Sequence, residues 1–195
     1  GLGTTLGTTA FTAVGLQNSE TVGNVTLASS GSANTTNVGT YNITAASAAN
    51  GTFTASNYNI SYANGTLTIN PADLTVSANN QSRTYGGVNP TAGGVTITSG
   101  SLYNGDTLSN ATLATAANAT SNVGNYSLAA SNQTMSNGSV SNYNITYTNG
   151  TLTVNPANLT ITANSTSTQY GLGTTLGTTA FTAVGLQNSE TVGNV

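Results

Sequence analysis

Residues Ser56–Asn79 read SNYNISYANGTLTINPADLTVSAN, and residues Ser141–Asn164 read SNYNITYTNGTLTVNPANLTITAN. Apolar side chains alternate on both sides of an Asn-Gly in each copy, the period of a strand half buried in a sheet. Asn64-Gly65 and Asn149-Gly150 therefore predict two-residue hairpins with type I′ turns, which need positive φ at both central positions. Pairing outward from the first turn sets Tyr62 against Leu67, Ile60 against Ile69 and Tyr58 near Pro71. The second copy sets Tyr147 against Leu152, Ile145 against Val154 and Tyr143 near Pro156. These residues share one face and form the candidate core. Asn59, Ser61, Thr66 and Thr68 share the opposite, polar face.

A further alternating run follows each hairpin after one Asn-Pro: TLTIN-P-ADLTVSA and TLTVN-P-ANLTITA. Proline cannot donate to a central ladder, so Pro71 and Pro156 mark joints where one sheet stops and the next begins. No Gly/Ser linker separates the strands, which predicts a semi-rigid joint.

The copy starting at Ser141 follows the copy starting at Ser56 by an offset of 141 − 56 = 85 in the numbering, and Tyr170-Gly171 follows Tyr85-Gly86 by the same offset. NVGTYNI (Asn37–Ile43) returns as NVGNYSL (Asn122–Leu128). GLQNSETV (Gly15–Val22) returns, one position longer, as GSLYNGDTL (Gly100–Leu108). A longer period encloses these: residues 1–25 recur letter for letter at 171–195, an offset of 171 − 1 = 170. Repetition of this kind governs the fold before any single residue does. The shorter period, about 85 residues, suits a small β domain. Residues 1–70 read as a type A module without its own first strand, 71–155 as a complete type B module, and 156–195 as the start of another type A. Neither flank is expected to fold independently. The chain starts in mid-repeat without an initiator Met, as a window from a longer continuous fibre would. The expected architecture is all-β: a tandem array of small antiparallel, sandwich-like (immunoglobulin-like) modules in an elongated rod. A β-grasp-like module is the alternative; the period is too long for one coil of a solenoid.

Charged residues are 3% of the chain: Glu20, Asp73, Arg83, Asp106 and Glu190. Regularly placed Val, Ile, Leu and nine Tyr set it apart from disordered chains, which are usually highly charged. A net charge of −3 with one Arg excludes electrostatic nucleic-acid binding and a polybasic membrane patch. No apolar run has the length of a membrane-spanning helix. Without His, Cys or Lys there is no ready base, thiolate or amine nucleophile, so neither enzyme activity nor a cofactor is expected. Asp106 is expected to order the turn after Asn104-Gly105. Calcium needs clustered carboxylates, yet the joints hold Asn70 and Asn155. Lys–Asn isopeptide bonds are impossible without Lys. Stability should rest on apolar burial and backbone ladders, responding weakly to salt and to pH between about 5 and 9.

Asn-X-Ser/Thr sequons are dense, and Asn24, Asn42, Asn64, Asn110 and Asn149 are candidate glycosylation acceptors. Strand alternation alone also sets Asn and Thr two apart on a polar face. Thr66-Thr68 and Thr151-Thr153 could present flat hydroxyl rows to a glycan or to ice, although Thr is favoured on strand surfaces anyway. Uncharged strand edges would permit lateral association between chains.

The ordered motifs P-A-x-L-T-[VI]-x-A-N, Y-G, G-L-x-N-G-D-T or a variant, N-V-G-x-Y and N-Y-x-I-x-Y-x-N-G-T-L-T-[VI] span the whole chain. Their succession resembles the MBG repeat (mostly-β, glycine-rich) of large bacterial surface proteins, many similar to filamentous-haemagglutinin-type exported adhesins. The first half departs at Gln17-Asn18-Ser19-Glu20, so that turn is expected to be built differently. The resemblance implies an extracellular, non-enzymatic repeat in a fibre or adhesin stalk, serving extension, adhesion, or biofilm and matrix cohesion. It supplies neither ligand nor catalytic residues. Expected partners are neighbouring repeats of the same chain, like chains in a bundle, and surface glycans; nucleic acid and membrane insertion are not expected. Two alternatives stand beside this: a glycan- or ice-binding module using the Thr/Asn face, and a self-assembling homopolymeric filament or sheath subunit.

Overall fold

The computed structural model describes residues 5–193. These form strands β1 (Val22–Ala28), β2 (Gly39–Gly51), β3 (Gly65–Ile69), β4 (Ala72–Ala78), β5 (Gln81–Thr84), β6 (Ala92–Gly93), β7 (Val95–Gly100) and β8 (Thr107–Leu108). The series continues with β9 (Ala111–Ala114), β10 (Gly124–Ser131), β11 (Met135–Asn137), β12 (Tyr143–Thr148), β13 (Gly150–Asn155), β14 (Thr160–Ala163) and β15 (Phe181–Val184). Single 3-10 turns at Ala55–Asn57 and Val140–Asn142 are the helical segments among the described residues. The chain is all-β, as its alternation requires.

Two compact units emerge. The first holds residues up to Leu74 with Ser99–Leu108 and Met135–Thr146; the second holds Thr75–Thr98, Ser109–Thr134 and everything from Tyr147. In the first, β1-β2-β3 form an antiparallel sheet in which Tyr41 faces Leu67 and Thr40 faces Thr68. The register shifts between Asn24 and Thr26, where β2 carries the extra residue between Ala46 and Ala49. In the second, five strands run in the order β5-β13-β10-β9-β6. Tyr126 of β10 opposes Leu152 of β13, and β5 joins β13 in parallel, with Gln81 beside Leu152. Ala78, Ala111, Leu113, Ala117, Leu128, Ala130 and Leu152 form its core, flanked by Val95, Tyr126 and Tyr147. A separate three-stranded sheet has the order β12-β4-β7, and its strands contribute residues to both units. Leu74, Val76 and Ala78 of β4 alternate into the interior.

The expected Asn-Gly hairpins do not form. Neither Asn64-Gly65 nor Asn149-Gly150 has positive φ, so neither is a type I′ turn. β12 and β13 abut in sequence yet belong to different sheets, β12 beside β4 and β13 between β5 and β10. Tyr147 and Leu152 are therefore not cross-strand partners, and neither are Tyr62 and Leu67, since Leu67 pairs with Tyr41. Residues 58–64 lie outside any strand. Gly150 serves another purpose: a Cβ there would collide with the carbonyl oxygen of Ala78. Glycine is required where the chain turns a sheet corner beneath β4, a close backbone approach that no side chain permits. Pro71 lies between β3 and β4, which belong to different sheets, and Pro156 directly follows β13.

Candidate functional site

Three tyrosines brace the first unit as their counterparts one short period later brace the complete half. The Tyr41 hydroxyl donates to the Asn37 carbonyl at 2.8 Å, and that of Tyr126 to Asn122 at 2.7 Å. The Ala48 N–H donates to the Tyr62 hydroxyl at 2.9 Å, as the Gln133 N–H does to Tyr147, also at 2.9 Å. The Tyr58 hydroxyl accepts from the Gln17 N–H at 3.0 Å and donates to the Glu20 carboxylate. Tyr143 does the same with the Tyr103 N–H at 2.9 Å and Asp106 at 2.7 Å. Each carboxylate closes a turn on the tyrosine that follows much later in the module. The hydrogen bond to Glu20 holds the Tyr58 phenol above its ordinary pKa. Burial, followed by the bond to Asp106, raises that of Tyr143.

The departure at Gln17-Asn18-Ser19-Glu20 does not change the turn. Asn18 and Ser19 have φ of 52° and 56°, matching 55° and 78° at Asn104-Gly105. Glu20 N–H donates to Gln17 O at 2.9 Å, as Asp106 N–H does to Tyr103 O, also at 2.9 Å. Ser19 accepts a left-handed backbone where Gly105 would adopt it freely.

The acids are all occupied by neutral donors. Asn144 donates to Asp73 at 2.9 Å, and Tyr85 to Glu190 at 2.5 Å. Among the described residues no three of His, Cys, Asp and Glu gather as a metal site would require. Buried Arg83 finds neutral acceptors, donating to Asn89 Oδ1 at 2.7 Å, to the Thr84 carbonyl at 3.2 Å and to the Asn118 carbonyl. Of the glycosylation candidates, Asn42, Asn64, Asn110 and Asn149 are exposed, while Asn24 is half buried in β1. Thr66 and Thr68 face solvent, whereas Thr151 and Thr153 are half buried in the middle of a sheet. Thr153 donates to Asn125 at 2.9 Å, so the two hydroxyl rows are not alike.

The first unit also holds an open groove of about 610 Å³. One wall is Ala10–Leu16 and the other Tyr58–Gly65, with Val25, Leu27, Ile43 and Phe53 in the floor. Apart from Gly65, which opens β3, neither wall is in a strand. The exposed apolar surface there includes Val14, Ile60 and Tyr62. Floor and sheet residues are correspondingly less covered: Ile43, Leu67 and Ile69 are half buried, while their counterparts Leu128, Leu152 and Val154 are 0%, 0% and 1% exposed. The module boundary at residue 70 hinted at a missing strand, but no residue pattern located the groove.

No curated protein and no solved structure matches the chain. The profile described as MBG domain (YGX type) matches twice, over residues 2–68 and 74–153. Tyr85-Gly86, within the second matched stretch, is a Tyr-Gly pair of the kind that description names. The two matched stretches are the halves whose tyrosine anchors coincide above, so the chain belongs to the MBG domain family of the YGX type, carried here in tandem.

Proposed function

We propose that this chain is a structural repeat of an extracellular bacterial surface fibre or adhesin stalk, serving extension and matrix cohesion. Family membership supports the coarser statement, a repeat of a bacterial surface protein. The observation that carries the finer one is the long-period recurrence, without a mismatch, of residues 1–25 at 171–195. Arrays of such copies add length and valency, and each half is organised by backbone ladders and tyrosine anchors and not around a cluster of reactive groups. Immunogold labelling of the producing cells with antibody to the full chain tests this. Label on surface filaments is the expected result; label confined to the cell interior overturns it. Binding to a glycan array or inhibition of ice growth would favour the rival module with a Thr/Asn ligand face, which the unlike exposure of the two threonine rows does not favour.

A further inference from the structure

We infer that each half of the repeat is clasped to the half before it by the turn at its Asn-Gly or Asn-Ser tip, and that the Tyr-Gly pair is part of the socket receiving this turn. The compact units are out of phase with the repeat. The first unit joins the first half to Ser99–Leu108 and Met135–Thr146 of the second, and the second unit joins the rest of the second half to the half that follows. Contacts between successive halves therefore fall inside each unit.

In the second unit the entering turn is Gln187-Asn188-Ser189-Glu190. The Asn188 side-chain amide donates to the Ala119 carbonyl at 3.1 Å, and the Tyr85 hydroxyl donates to Glu190 at 2.5 Å. Gly86 has φ of +81°, and a Cβ there would stand 2.8 Å from Gln187 Cβ. Glycine is demanded first by its own backbone and again by the entering side chain. The Ala119 carbonyl also accepts from the Gly86 N–H at 3.2 Å, so one lone pair serves the socket and the other the entering turn. In the first unit the entering turn is Tyr103-Asn104-Gly105-Asp106. Asn104 donates to the Asn34 carbonyl at 2.9 Å, and Asn34 is the counterpart of Ala119 one short period back (119 − 34 = 85). A second amide joins there: Asn142 donates to Asn37 Oδ1 at 3.0 Å and accepts from the Val38 N–H at 3.0 Å. Two turns of different sequence use the same asparagine against the same carbonyl position.

Both sides of the clasp are formed by bonds of their own. Glu190 N–H closes the entering turn on the Gln187 carbonyl at 2.9 Å, with φ of 50° and 61° at Asn188 and Ser189, as at Asn18 and Ser19. Ser121 N–H closes the receiving loop on the Asn118 carbonyl at 3.0 Å, as Thr36 N–H does on Ala33 at 3.1 Å. Arg83 and Asn89 hold that loop from β5 and the segment after it, donating to the Asn118 and Ala117 carbonyls. The Tyr-Gly turn closes with Gly87 N–H on the Thr84 carbonyl at 3.0 Å, and Leu172 N–H does the same on Gln169 at 3.0 Å. Preformed partners lose little freedom on docking, and the covalent link keeps them at high effective concentration. The carboxylate serves two tyrosines without competition. Glu20, at the same place in the long repeat as Glu190, gives one oxygen to Tyr58 of its own half, which leaves the other for a tyrosine of the half before. A chain without cysteine or lysine fixes its joints with amides and phenols instead. The clasp deepens the reading as a structural array, but it rests on tandem repetition and not on cellular location, so immunogold labelling and the test below fail separately.

A nitroxide on Ser189→Cys, an exposed tip in a cysteine-free chain, tests the contact by nuclear magnetic resonance of the full chain. The amides of Gly86, Thr120 and Ser121 are expected to broaden strongly. Hydrogen exchange of two further variants tests its specificity. Asn188→Ala should speed exchange at Gly86 and Ser121 by roughly fivefold and leave Thr36 unchanged, and Asn104→Ala should speed Thr36 alone by a similar factor. Amides at Gly86, Thr120 and Ser121 that stay sharp beside the label, or asparagine variants that speed both loops alike or neither, would each overturn the clasp.

Discussion

Alanine at Gly150 and alanine at Gly65 should act with opposite signs, although the two glycines occupy the same place in the repeat. At Gly150 the new Cβ would overlap the carbonyl oxygen of Ala78 and lie 3.3 Å from its Cβ. Both are fixed parts of β4, and Ala78 is buried, so no flexible side chain can yield. Overpacking of this kind costs about 1–3 kcal/mol. Shifting β13 also strains its pairing of Gly150 with Leu128, about 1 kcal/mol for one ladder bond. Removing a glycine from a strand returns about 0.5–1 kcal/mol, leaving a net loss of about 2 kcal/mol. At Gly65 the nearest atom stands at 3.6 Å, an ordinary contact, so the small gain survives. Urea unfolding followed by far-UV circular dichroism reads both. With a slope of about 1.5 kcal/mol per molar, Gly150→Ala should lower the midpoint by about 1.3 M, while Gly65→Ala leaves it unchanged or slightly higher. Equal losses at the two sites would refute the idea that the crossing of β4 demands the glycine.

Arg83→Met should destabilise the second unit by about 2–4 kcal/mol in the same assay, because Asn89 Oδ1 and the Asn118 carbonyl lose a charged donor inside the fold. Ser19→Gly should stabilise the first unit by about 0.5–1 kcal/mol, since Ser19 holds φ of 56°; thermal unfolding reads it, and no gain would contradict the left-handed strain. The raised phenols of Tyr58 and Tyr143 set an alkaline limit. Their folded pKa values lie above the ordinary 10.0, so their contribution is complete below pH 10 and is lost as pH rises through the folded values. Midpoints should therefore stay flat from about pH 5 to 9 and fall above about 10, and Tyr143→Phe should flatten that fall.

Five Asn-Gly pairs occur in this chain, and they show why local chemistry gives the elements but not their partners. Asn50-Gly51 and Asn104-Gly105 have positive φ at both residues. Asn64-Gly65 and Asn149-Gly150, flanked by the best alternating strands, have it at neither. Alternation correctly placed the apolar faces around Leu152 and Val154, because side-chain period is local. It could not tell a hairpin from a sheet corner, because pairing is settled by distant strands: β4 takes the space beside Gly150, and β3, which Gly65 opens, pairs with β2. Pro71, by contrast, reports its own lack of an N–H, and it falls between strands of different sheets. The turn at Asn18-Ser19 misled for the opposite reason. Ser in place of Gly looks like a different turn, yet the Tyr58–Glu20 and Tyr58–Gln17 bonds hold the same path. The open space beside Gly15 and Gly65, against the crowding at Gly100 and Gly150, has the same root: which neighbour takes a glycine's side is set by strands distant in sequence.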